Sequence, residues 1–127
     1  MYLLDTHVIL WWLGNEVSRF SGKILLEIQE GGEPVFVSAA SAWEIAIKKG
    51  LGKLNSPDDF DEVVRKNRFL TLPISLEHAW SVIGLPRHHN DPFDRLLIAQ
   101  ALAEKLTLIT ADKKIQAYPV RWLDPGP

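Results

Sequence analysis

Four acidic residues stand where a folded chain could gather them: Asp5 in YLLDTHVIL, Glu44 in AASAWEIAIKKG, Asp94 in NDPFDRLLIAQA and Asp112 in LITADKK. In an open parallel sheet, ligands bind at the carboxyl ends of the strands. Asp5 closes the first strand-like run and Asp112 follows the fourth. Glu44 lies in the helix after the second, and Asp94 lies in the first turn of the helix before the fourth. All four could reach one rim. Carboxylates 4 Å apart repel by about 4 kcal/mol per pair at an effective dielectric of 20. A cluster of this kind is held with a cation, or with some acids protonated. Oxygen ligands suit Mg²⁺ or Mn²⁺ with waters completing the shell. Such an ion activates water and stabilises a departing oxygen, which is phosphodiester-hydrolysing chemistry.

Each acid also has a local reading. Asp5 is a good N-cap for THVILWWL. Ser41, Glu44 and Lys48 form a narrow polar stripe on an otherwise apolar helix. That stripe is either a surface Glu–Lys pair or the wall of a cleft. Asp91 before Pro92 caps the next helix with proline at its first position, and Asp94 then sits near the positive end. Asp112 suits a turn, and Thr110 could support a neighbouring carboxylate with its hydroxyl. Taken singly, no acid decides between the readings; their joint placement favours a metal.

The elements that must position these acids alternate. The strand-like runs are YLLD, EPVFVS, FLTLP, LTLIT and VRWL. Helical patterns lie between them: THVILWWLG, stopped at Gly14, SGKILLEIQEGG, closed by Gly31 and Gly32, AASAWEIAIKKG, SPDDFDEVVRKN, SLEHAWSVIGLP and DPFDRLLIAQALAEK. Ser56 reads as the N-cap of the fourth helix, with Pro57 at its first position. This alternation predicts an α/β fold, a parallel sheet of about five strands sandwiched between helices. A chain of 127 residues predicts one domain, 1–127. Its 46% hydrophobic and 24% charged content is that of a globular protein. With no cysteine, disulfides and thiolate zinc sites are excluded. The apolar run Val8 to Leu13 is too short to cross a membrane and lacks the basic flank of a signal peptide. A cytoplasmic location is the expectation. The net charge of −2 carries no basic excess, so nucleic-acid binding needs a local patch.

The segments LLDTHVILWWL, VSAASAWEIAIKKGLGKL, LPISLEHAWSVIGLPRHHNDPFDRLLIAQA and LITADKKIQAYPV, in this order over nearly the whole chain, resemble the PIN-domain nucleases. The VapC-type toxins of bacterial toxin–antitoxin pairs are the most similar branch. The resemblance implies a PIN-like parallel sheet and a metal-dependent endoribonuclease. It implies that Asp5, Glu44, Asp94 and Asp112 hold one or two Mg²⁺ or Mn²⁺ ions. It makes Asp91 a cap or auxiliary acid, with Thr6 and Thr110 as polar neighbours of the site. Hydrolysis by an activated water should leave a 5′-phosphate and a 3′-hydroxyl. The resemblance further implies an antitoxin partner covering the site, and a homodimer.

Lys48, Arg87, His88, His89 and Arg95 are candidate contacts to the RNA backbone, with surface packing as the plainer reading of the histidines. His89 suits an oxygen-rich metal site poorly. Lys48, Lys49 and Lys53 either guide phosphate or close a helix end. Among five tryptophans, Trp43 is expected in the core. Trp11 and Trp12 are adjacent and cannot both face it, which points to an interface. Two other functions keep the same fold: an RNA-processing nuclease without a toxin role, and a non-catalytic RNA- or partner-binding module.

Overall fold

Leu3 and Leu4 are neighbours in sequence, yet they pack into two different cores. Successive side chains of a strand point to opposite faces, so a strand covered on both sides is apolar at every position. Leu108 and Ile109 repeat the pattern. The structure, a computed structural model, describes residues 1–127. Its sheet has five strands: β1 (Tyr2–Leu4), β2 (Val35–Ser38), β3 (Leu70–Leu72), β4 (Thr107–Ile109) and β5 (Trp122–Leu123). All neighbours are parallel, in the order β3-β2-β1-β4-β5.

Seven helices accompany them: α1 (Thr6–Leu13), α2 (Gly22–Glu30), α3 (Ala39–Gly50), α4 (Phe60–Lys66), α5 (Leu76–Ser81), α6 (Pro92–Glu104) and α7 (Lys113–Gln116). Val8 and Ile9 of α1, Ile24 and Ile28 of α2 and Val64 of α4 build one core with Leu4 and Ile109. Leu97, Ile98 and Ala101 of α6 and Ile115 of α7 build the other with Leu3 and Leu108. This is the expected α/β sandwich. No helix is long and apolar enough to cross a membrane.

One helix start differs from the sequence reading. Helix α4 begins at Phe60, not at Pro57. The Lys49 ammonium, reaching from the end of α3, bonds the Ser56 carbonyl and pairs with Asp58 at 2.8 Å. That tie holds the segment 56–58 as a loop. A short helix, α7, follows Asp112 where a turn was expected.

The strand order reverses between β1 and β4: the chain runs outward through β2 and β3, then returns to the other side of β1. The crevice at the carboxyl ends of these two strands is where such sheets bind ligands. Asp5 follows β1 directly, and Thr110 follows β4 directly.

Candidate metal centre

Asp5 is both a helix cap and a member of this crevice. Its Oδ1 accepts the Val8 backbone N–H at 2.9 Å, capping α1. Its Oδ2 accepts the Thr110 hydroxyl at 2.5 Å. Thr110 Oγ1 in turn accepts the Asp112 backbone N–H at 3.1 Å, fixing the loop after β4. Beside it, Thr6 donates to Ser41 Oγ at 3.0 Å, tying α1 to α3. Burial pushes the Asp5 carboxyl up from its ordinary value. The bonds from Thr110 and Val8 and the charge of His7 oppose this, while Asp112 adds to it.

The start of α6 separates two roles. Asp91 Oδ1 accepts the N–H groups of Phe93 and Asp94 at 2.9 and 3.0 Å, so Asp91 is the cap, with Pro92 at the first helical position. The Asp94 side chain is free of that duty. Burial and the charge of Asp91 raise its carboxyl to about 7. His89 opposes the rise, and Asp5 and Glu44 reinforce it.

His89 lies inside this cluster. Its Nε2 bonds Asp112 Oδ2 at 3.0 Å and lies 2.9 Å from Asp94 Oδ2. Its Nδ1 accepts the Asp91 backbone N–H at 3.2 Å, which assigns the ring proton to Nε2. That N–H therefore bonds Asp112, with the Asp94 carboxylate as a close neighbour. The nearest ligand atoms of His89, Asp94 and Asp112 all lie within 4.8 Å of one another. The expectation that His89 meets RNA from the surface is corrected: the ring is 9% exposed and faces acids.

Glu44 supplies the test of a metal here. It is 3% exposed, its Oε2 accepts from Lys48 at 2.7 Å, and its Oε1 is buried with no hydrogen-bond partner. An orphaned carboxylate oxygen is costly unless a cation or proton meets it. Carboxylate oxygens are the donors that suit a hard divalent cation, and Asp94 and Asp112 bring theirs together beside His89. The polar stripe of α3 thus faces the crevice, with Ser41 wholly buried. The expectation for Trp43 is reversed: it is 59% exposed, because Ala40, Ser41, Glu44 and Ile45 occupy the inward faces of α3.

The other expected RNA contacts divide. Arg87 and His88 are exposed, His88 resting edge-on against Tyr118. Lys48 is half-exposed and paired with Glu44, whose bond raises the lysine above its usual range. Arg95 corrects the reading: it is 7% exposed and cannot reach a polymer. Its guanidinium donates to the carbonyls of Pro86 at 2.9 Å and Val82 at 3.0 Å, and more weakly to those of Leu85 and His89. Tyr118 bonds the Pro86 carbonyl and the His89 N–H, so Arg95 and Tyr118 together hold the loop that carries His89. Sequence gave no sign of Tyr118. Gln100, fully buried and bonded to Ser38 at the end of β2, was visible only as a polar residue in an apolar helix.

The PIN domain family model matches residues 2–120 of the chain. Ribonuclease VapC22 of Mycobacterium tuberculosis is 30% identical over 124 residues, 91% of this chain and 90% of that protein. Ribonuclease VapC16 of the same organism is 44% identical over 54 residues, a match spanning 41% of this chain and 38% of VapC16. Among solved structures, VapBC2 from Rickettsia felis bound to a promoter DNA fragment has a TM-score of 0.72 at 18% identity, covering 96% of both chains. A toxin–antitoxin complex from Klebsiella pneumoniae has a TM-score of 0.67 at 18% identity, covering 98% of both. These structures share the fold. With a family match along nearly its whole length and a VapC relative aligned over 91% of it, the chain belongs to the PIN domain family, among the VapC proteins.

Proposed function

We propose that this protein is an endoribonuclease dependent on Mg²⁺ or Mn²⁺, the toxin of a toxin–antitoxin pair, built as a single domain. The observation that carries the reading is the orphaned Glu44 Oε1, buried beside a crevice where Asp94 feels the charges of Asp5 and Glu44. In this reading Asp5, Glu44, Asp94 and Asp112 hold the cation, directly or through water. A bound cation supplies an activated water and stabilises the departing oxygen. The chain's own residues do the rest. Thr110 and the Val8 N–H fix the Asp5 carboxylate, and Thr6 and Ser41 hold α3 against α1. His89 holds the carboxylates of Asp94 and Asp112 together, and Asp91 fixes the helix start that presents Asp94. Exposed Arg87, His88 and the Lys48 head meet the RNA backbone. An antitoxin covers this crevice, and the protein acts as a homodimer. Support for the partner comes from the VapBC and toxin–antitoxin complexes that share the fold.

The test is RNA cleavage by purified protein in Mg²⁺, Mn²⁺ or EDTA, beside Asp5→Asn and Asp94→Asn. The expected result is metal-dependent cleavage, lost in both folded variants, with 5′-phosphate and 3′-hydroxyl ends. Equal cleavage in EDTA, or a 2′,3′-cyclic phosphate product, refutes the mechanism.

A further inference from the structure

Trp43 is a large aromatic side chain left 59% exposed directly beside the buried Glu44. Its indole meets the Phe93 ring edge-on, with centroids 5.2 Å apart and planes at 73°. Phe93 stands directly before Asp94 as Trp43 stands directly before Glu44. Consecutive helical side chains leave the axis about 100° apart. The aromatic contact between α3 and the first turn of α6 therefore runs alongside the acidic pair those elements contribute. Phe93 is half-buried, so it braces the indole, while most of the indole surface stays open.

We propose that Trp43, braced by Phe93, is the platform on which a nucleobase of single-stranded RNA stacks when the adjoining phosphate lies at the acidic crevice. The inference rests on the nuclease reading above and adds to it a residue that positions the substrate. Proteins that read single strands stack unpaired bases on aromatic side chains, and a base held in a duplex is not free to do so. Placement next to the acids separates Trp43 from Trp80, which is 74% exposed on α5 with Leu76 and Ile83 as its exposed neighbours. Phosphate contacts position a strand, whereas a stacked base ties one nucleotide to the reacting bond. Trp43 is thus a positioning residue for the proposed cleavage.

The test compares a short oligoadenylate with an abasic ribose-phosphate chain of equal length, with Ca²⁺ in place of Mg²⁺ so that binding is read apart from cleavage. Trp43→Ala should weaken oligoadenylate binding about tenfold and leave the abasic chain unchanged. Trp43→Phe should restore most of the loss, and Trp80→Ala should keep the wild-type preference for the base-bearing chain. Equal loss on both probes overturns the proposal, as does an unchanged oligoadenylate affinity. A shift of sedimentation coefficient in Trp43→Ala without loss of base preference also overturns it, and assigns the residue to a protein interface. Base-dependent binding by a wild-type protein that cleaves no RNA with Mg²⁺ or Mn²⁺ upholds the platform and rejects the nuclease reading.

Discussion

The Thr110 hydroxyl donates to Asp5 Oδ2 across a sequence separation of 105, closing the crevice between β1 and β4. Both residues are buried, so neither has water as an alternative partner. Thr110→Val keeps the shape and removes the donor. It should lower stability to urea by about 1–3 kcal/mol, the cost of an unpaired buried polar group. It should also weaken divalent-cation affinity, because the Asp5 carboxylate loses the bond that favours its charged form. Thr110→Ser should retain both properties. Urea unfolding and calorimetric titration read the two effects.

Stability without a divalent cation should fall as pH rises towards neutrality. The Asp94 carboxyl is raised from 3.8 to about 7 by burial and by neighbouring negative charge. Between those values the folded chain binds more protons than the unfolded one. This contribution is fully present below the unfolded value and is lost as pH rises through about 7. The melting temperature in EDTA should therefore drop from pH 5 to pH 8. Asp94→Asn should flatten the profile and melt a few degrees higher than the wild type at pH 8. A wild-type profile flat across this range contradicts the placement of Asp94.

Adding Mg²⁺ or Mn²⁺ should reverse that loss. A ligand at 100 times its dissociation constant stabilises the folded state by about 2.7 kcal/mol. Differential scanning calorimetry should show the midpoint rising with cation and falling again on chelation. Glu44→Gln removes one charge and gives the buried site an amide that needs no cation. It should shrink the response while leaving the EDTA midpoint equal or higher.

Arg95 and Arg87 should behave oppositely. Arg95 satisfies the carbonyls of Val82, Leu85, Pro86 and His89 from a buried position. Arg95→Ala leaves those carbonyls unpaired and should cost about 3 kcal/mol in urea unfolding. Exposed Arg87→Ala should change stability by less than about 0.5 kcal/mol. Its effect should appear instead as weaker, less salt-dependent RNA binding.

Much of the architecture was legible because it is local. Adjacent apolar pairs such as Leu3-Leu4 and Leu108-Ile109 announced strands covered on both faces, and Asp91-Pro92 announced the start of α6. The exceptions are long-range. The start of α4 is displaced by Lys49, which belongs to another helix. The faces of α3 could not be assigned from periodicity, since both a polar stripe and an aromatic residue competed for the interior. Only packing against α1 and α6 turned Glu44 inward and Trp43 outward. For the candidate site, the places of Asp5 after β1 and of Asp94 in the first turn of α6 were legible, because both depend on local capping and element order. His89 and Arg95 were misplaced because their roles depend on how residues 82–90 fold back over Tyr118.

The position of β1 at the centre of the sheet has a consequence in time. During synthesis the first strand emerges long before β4, the neighbour that completes its other edge. Contacts so distant in sequence are slow to form, because the closure entropy of the intervening chain is met before any contact rewards it. Asp5 therefore stays without Thr110 and Asp112 until residues 107–112 have left the ribosome and paired. A half-made chain carries the first acid of the crevice but not the crevice, so translation and the ability to cut RNA are separated by the order of the strands.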